Sequence, residues 1–146
     1  MFKNINHLCF DKDGVLIDVH AYWRHTTEIR ASYLKNKFQL NSDAENSLIK
    51  CMGIDLKTGK IKNKGPIGYK PRAFIIEKVK KCLSSYNCNS STHNLARYFL
   101  EIDDHQQKNN DFDIILLDGV KFFISQNSKK YKMTIFTSDR KKNAEI

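Results

Sequence analysis

In Leu8-Cys9-Phe10-Asp11-Lys12-Asp13-Gly14-Val15-Leu16-Ile17-Asp18 an apolar run ends in a carboxylate, a second carboxylate follows two positions later, and a glycine then lets the chain turn. Leu8, Cys9 and Phe10 show no period-two alternation, which predicts a short buried strand of the kind parallel sheets contain. Open α/β sheets bind ligands at the C-terminal ends of their strands, and Asp11 and Asp13 fall at such an end. A continuing strand would put both on one face. Gly14 predicts instead that the backbone curls and aims both carboxylates at one point.

Two carboxylates on one reaction centre divide the labour. Asp11 suits a nucleophile that forms a covalent intermediate. Asp13 suits an acid that protonates the leaving oxygen and later, as a base, takes a proton from water. A hard cation such as Mg²⁺ would hold a phosphate beside carboxylates that otherwise repel it. An EF-hand loop is excluded, because it needs Gly at its sixth position and Glu at its twelfth, whereas Gly14 is fourth from Asp11 and Tyr22 is twelfth. Taken as a bare tetrapeptide, D-x-D-G also reads as a plain turn after a strand.

The longer string from Phe10 to Asp18 closely resembles the first motif of the haloacid dehalogenase (HAD) superfamily, a hydrophobic strand followed by D-x-D-G-[TV]-[LI]. With both aspartates present it is similar to the phosphatase and phosphotransferase branch. The resemblance implies Asp11 as the nucleophile of an aspartyl-phosphate and Asp13 as the acid/base. It also implies a Mg²⁺ at Asp11 and Asp13, held by the Asp11 carboxylate and the Asp13 backbone carbonyl. Met133-Thr134-Ile135-Phe136-Thr137 resembles the second motif, a strand ending in Thr or Ser. That implies Thr137 as a hydrogen-bond partner of the transferring phosphoryl oxygen, with the Ser138 N–H beside it. A Thr at a strand end is otherwise a helix cap or a local hydrogen bond.

Residues 20–110, between the motifs, read as helices, similar to HAD proteins with a helical cap inserted after the first motif. The expected fold class is α/β: a discontinuous HAD-like core of parallel strands over 1–19 and 111–146, and a helical cap over 20–110. A cap excludes water and selects the substrate. His20 and Arg24, with Tyr22, Trp23 and Arg30, stand nearest the site in sequence, and Arg24 has the planar fork that grips a phosphate or carboxylate. The plain reading of each is a solvent-facing or cap-core side chain.

Apolar spacing through Trp23, Ile29, Leu34 and Phe38 predicts a helix over 20–40. Ser42-Asp43-Ala44-Glu45 has the S-x-x-E form of a capping box, opening a second helix that stops at Gly53. Ile54 and Leu56 are placed to pair with Ile61 across a turn. Pro71 marks the first turn of a third helix, and Leu95, Phe99 and Ile102 mark a fourth. The polar run 103–111 reads as a return linker, Ile114-Ile115-Leu116-Leu117 as a strand, and Asp118-Gly119-Val120 as the start of a helix.

No run approaches the ~20 apolar residues of a membrane span, and Met1-Phe2-Lys3-Asn4-Ile5-Asn6 lacks a signal-peptide core, so a cytoplasmic location is expected. Cys9, Cys51, Cys82 and Cys88 form no C-x-x-C and no zinc-spaced set, and read as reduced, buried or half-buried residues. The net charge of +9 comes from scattered lysines without aromatic interleaving, a solvated surface that attracts anionic substrates rather than a nucleic-acid binder.

HAD proteins carry a further Lys and an acidic pair after the second motif, and neither Lys141, Lys142 nor Glu145 fits those roles. The resemblance thus covers the cap and the first half of the core. It predicts a fragment, a truncated product or half of a split protein, weak Mg²⁺ binding, and an open sheet edge that pairs with a complementing chain or a second copy. The expected activity is Mg²⁺-dependent hydrolysis of a small phosphorylated metabolite. The alternatives are a non-catalytic HAD-like interaction module and a phosphotransferase such as a mutase.

Overall fold

The structure is a computed structural model that describes residues 4–137. Ser138, Lys141, Lys142 and Glu145 lie outside the described residues. Along the chain run β1 (His7–Asp11), α1 (Val19–Phe38), α2 (Ser42–Met52), α3 (Arg72–Ser84), α4 (Thr92–Lys108), α5 (Val120–Asn127) and β2 (Lys132–Phe136). The class is mixed α/β, and the chain divides into Met1–Tyr22 with Ile114–Ile146 as one unit and Trp23–Asp113 as the other. Among the described residues no helix is long and apolar enough to cross a membrane.

In the first unit β1 and β2 pair in parallel, from His7 opposite Lys132 to Asp11 opposite Phe136. The His7 imidazole meets the Thr134 hydroxyl at 2.7 Å across the two strands. Neither strand is buried as expected: β1 alternates exposed and half-buried residues, Cys9 is exposed, and Phe136 is 75% exposed. The reason is that apolar cover comes from one side, where the α5 ring of Phe123 packs edge-on against Phe10 at 6.0 Å. The strand expected over Ile114-Ile115-Leu116-Leu117 is also absent. Its backbone is used elsewhere: Leu117 N–H donates to Leu16 O and Asp18 N–H to Ile115 O, leaving a single antiparallel bridge between Ile17 and Leu116. These bonds hold the segment against the turn that follows β1.

The second unit is helical, and its core is built by Leu34, Leu48, Met52, Val79, Leu83 and Phe99. At the start of α2 the cap is Asn41 rather than Ser42, since Asn41 Oδ1 accepts the Ala44 N–H at 2.9 Å. Gly53 ends α2 in the left-handed region at φ 113°, its N–H returning to Ile49 and Lys50 carbonyls. A Cβ at Gly53 would lie 2.8 Å from Pro66 Cδ. Gly53→Ala therefore combines backbone strain with a clash and is expected to cost about 1–3 kcal/mol, read as a lower denaturation midpoint.

Ile54 and Ile61 form the expected antiparallel bridge. In the turn between them Asp55 Oδ1 accepts the Lys57 N–H at 2.8 Å and the Thr58 N–H at 3.1 Å. The Thr58 and Lys57 amides hold the Asp55 carboxyl below its ordinary range. A depressed folded value means that this turn's contribution is complete above the unfolded aspartate pKa and is lost as pH falls through the folded one. A carbon-detected NMR titration should find the Asp55 midpoint below that of a free aspartate, with the Lys57 and Thr58 amide shifts moving at the same midpoint.

The run 103–111 is not a linker. Helix α4 continues to Lys108, and Asp103 is a buried residue of that helix. Its carboxylate joins two guanidinium groups, Arg30 Nη2 at 2.9 Å and Arg72 Nη2 at 2.6 Å. Buried Gln106 donates to the Asp111 carbonyl at 3.1 Å and closes the helix end. Charge in this stretch packs inward because its partners wait on α1 and α3.

Candidate functional site

The site is built on the tip of β1. After Asp11 the chain curls at once: Leu16 and Ile17 N–H both donate to Lys12 O, and Gly14 N–H donates to Ile17 O. Gly14 sits at φ +77°, a conformation that costs other residues strain. The curl displaces Asp13 from the strand direction, and it pairs with Ile17 in an isolated bridge instead of continuing the sheet. Asp18 closes the motif by capping α1, its Oδ1 accepting His20 N–H at 2.8 Å and Ala21 N–H at 3.2 Å.

Asp11 Oδ1 accepts the N–H of Lys12 at 2.7 Å, which fixes the carboxylate at the strand end. Asp11 is opposite Phe136 in the parallel register, so Thr137, the next residue, leaves the sheet at the same end. The topology therefore gathers Asp11, Asp13 and Thr137 at one end of a two-stranded sheet. Ser138 lies outside the described residues.

Lys12 is the residue that the motif reading passed over. Its Nζ lies 2.9 Å from Asp13 Oδ1 and 4.8 Å from the centre of the Tyr22 ring, and its side chain is only 13% exposed. The contact with Asp13 is an ion pair rather than a hydrogen bond, since Asp13 Oδ1 is shielded from solvent and makes no well-angled bond. A lysine between two acids was the available signal: at this density of negative charge a local cation is worth most.

The two expected cap residues stand in different units. His20 belongs to the first unit, on the opening turn of α1, with its backbone N–H spent on the Asp18 cap. Arg24 belongs to the second, where its side chain lies against Gly59, close enough that a Cβ there would be 3.0 Å from Nη1, and its Nη2 is 3.9 Å from Asp113 Oδ2.

The donor chemistry at the β1 tip fits a hard divalent cation. Asp11 would offer its carboxylate and Asp13 an oxygen other than Oδ1, which faces Lys12 Nζ at 2.9 Å. Mg²⁺ characteristically takes one or two carboxylates and completes its shell with waters and substrate phosphate oxygens. Among the described residues no group of three or more His, Cys, Asp or Glu side chains is placed to hold a metal, so protein carboxylates alone do not make a closed cage.

A cleft of about 370 Å³ opens beside the site, between β1 and α5, lined by Phe10, Val15, Leu16, Gly119, Phe123 and Ile124 among others. Its walls are apolar apart from Asp118, and neither Asp11 nor Asp13 lines it. No protein-family model matches the sequence, and no curated protein matches it.

Proposed function

We propose that the chain acts as a Mg²⁺-dependent phosphomonoester hydrolase of the HAD type, through an aspartyl-phosphate, on a small phosphorylated metabolite. The observation that carries this reading is the D-x-D-G turn at the end of β1, in parallel register with the strand that leads into Thr137. Spontaneous phosphomonoester hydrolysis is slow enough that accelerations up to roughly 10²¹-fold are known, so several effects must act together.

In this scheme one Asp11 oxygen is held by the Lys12 amide, and the other attacks phosphorus in line as the bond to the leaving oxygen breaks. Asp13 acts from its protonated form, with the Lys12 ion pair open, and gives that proton to the leaving oxygen; the carboxylate left behind is the form that pairs with Lys12. It then takes a proton from the water that attacks the aspartyl-phosphate, releasing phosphate and restoring Asp11. Thr137 donates its hydroxyl hydrogen to a phosphoryl oxygen. Lys12, ion-paired with Asp13, offsets part of the negative charge that gathers there. Bound at Asp11 and Asp13, Mg²⁺ supplies the remaining positive charge that lets an anionic phosphate approach two carboxylates.

The test is acid-quenched turnover of an aryl phosphate by the full chain, with and without Mg²⁺, followed by peptide mapping. Phosphate release that needs Mg²⁺, with a transient phosphoryl group on Asp11, is the expected result. A folded chain that neither turns over the ester nor acquires a phosphoryl group on Asp11 overturns the proposal in favour of a non-catalytic module.

A further inference from the structure

Helices α2 and α3 of the second unit pack against each other, and one side-chain contact shows their register. The Tyr86 hydroxyl, just past the end of α3, meets Ser47 Oγ at 2.8 Å and donates to the Asp43 carbonyl at 3.3 Å. The end of α3 thus lies beside the start of α2, and the helices run antiparallel. One turn forward from Ser47 is Cys51; one turn back from Tyr86 is Cys82. That register sets the two cysteines opposite each other on the facing helices. Both are reduced and half-buried at the rim of the helical core, so neither is sealed from small reagents.

The pair is chemically asymmetric. Cys51 Sγ lies 3.2 Å from the Leu48 carbonyl and is the more enclosed of the two. The neighbouring Cys82 thiol and burial push the Cys51 thiol up, while the neighbouring Cys51 draws Cys82 down. Lys62, whose Nζ donates to the Lys50 carbonyl at 3.0 Å, and Lys78 both bring positive charge to bear on Cys51. Thiolate character and partial exposure favour reaction at a cysteine, and of this pair Cys82 is the one drawn toward the thiolate and the less enclosed.

We propose that Cys51 and Cys82 form an oxidisable dithiol, which a hydroperoxide converts to a disulfide tying α2 to α3. The Cys82 thiolate attacks the peroxide; the O–O bond breaks, the sulfur becomes a sulfenic acid, and the other oxygen leaves as alcohol or water after taking up a proton. Cys51 then displaces the sulfenic oxygen as water and forms the S–S bond. Overall two thiols lose two hydrogens, and the hydroperoxide is the species reduced. The inference is independent of the phosphoryl-transfer reading, because every residue it uses is in the helical unit.

The test treats the full native chain with a modest excess of hydrogen peroxide, alkylates it, and maps the unreduced peptides by mass. The expected product is a linked pair carrying Cys51 and Cys82, cleaved by dithiothreitol, with the Cys9 and Cys88 peptides still alkylated. In Cys51→Ser the Cys82 sulfenic acid should persist and take up dimedone, at least about tenfold more than Cys51 does in Cys82→Ser. Recovery of Cys51 and Cys82 both alkylated overturns the proposal, as does a bridge from either one to Cys9 or Cys88. Direct passage of Cys82 to a sulfinic acid in the native chain overturns it too. The native-chain map decides the question even where a serine variant does not fold.

Discussion

Asp11→Asn is expected to lower Mg²⁺-dependent hydrolysis of an aryl phosphate by on the order of 10⁶-fold, the scale at which loss of a covalent nucleophile is felt. The amide keeps nearly the same shape and can still accept the Lys12 N–H that meets Oδ1 at 2.7 Å, so the turn after β1 should survive the change. On the proposed mechanism the lost quantity is the anionic oxygen that would form the bond to phosphorus. Unchanged circular dichroism together with the lost rate would place the effect in the chemical step. Asp13→Asn should behave differently. It removes the proton donor and base and costs about 10²–10⁴-fold, least for substrates with acidic leaving groups, which need no proton. A rate retained in Asp11→Asn would remove the nucleophile assignment altogether.

The second large effect is on stability. Asp103→Ala is expected to cost about 3–5 kcal/mol, because it strips the shared counter-ion from Arg30 and Arg72 and leaves a guanidinium buried without it. The Arg30 side chain is 6% exposed and lies over the Phe99 ring at 4.9 Å, so water cannot take over the lost interaction without opening the core. Asp103→Asn tests whether charge or volume is responsible. It restores the shape and one acceptor but not the charge, and should retain most of the loss. Equilibrium urea unfolding followed by helical signal reads both variants. A cost below about 1 kcal/mol for Asp103→Ala would mean that the cluster behaves as an exposed ion pair.

That cluster also shows where sequence reading runs out. A stretch of Asp103, Asp104, His105, Gln106, Gln107 and Lys108 has the composition of a solvated connection, and composition cannot register that Arg30 lies seventy-three positions earlier, waiting for a carboxylate. Burial of a charge is decided by its partners, and these are brought together only by α1, α3 and α4 packing around one core. The strand expected at Ile114-Ile115-Leu116-Leu117 failed for a related reason. An apolar run satisfies its backbone with whichever extended neighbour it meets, and here Leu16 and Asp18 engage it rather than a strand of the sheet. The exposure of Cys9 and Phe136 follows from what covers a sheet face, a property no residue of the strand carries in itself.

What the sequence by itself determined is local. Gly14 allowed the left-handed turn after Asp11, Gly53 stopped α2, and capping, proline and apolar-spacing signals located the four helices between Val19 and Lys108, because each depends on dihedral freedom or on residues one or two turns apart. What only the tertiary structure decided is pairing at a distance. The parallel register that carries Thr137 to the Asp11 end of the sheet, the Arg30–Asp103–Arg72 cluster and the Ser47–Tyr86 contact between α2 and the end of α3 all join segments far apart in sequence. Such contacts exist only after chain entropy has been surrendered to packing, and packing depends on the whole set of buried surfaces at once.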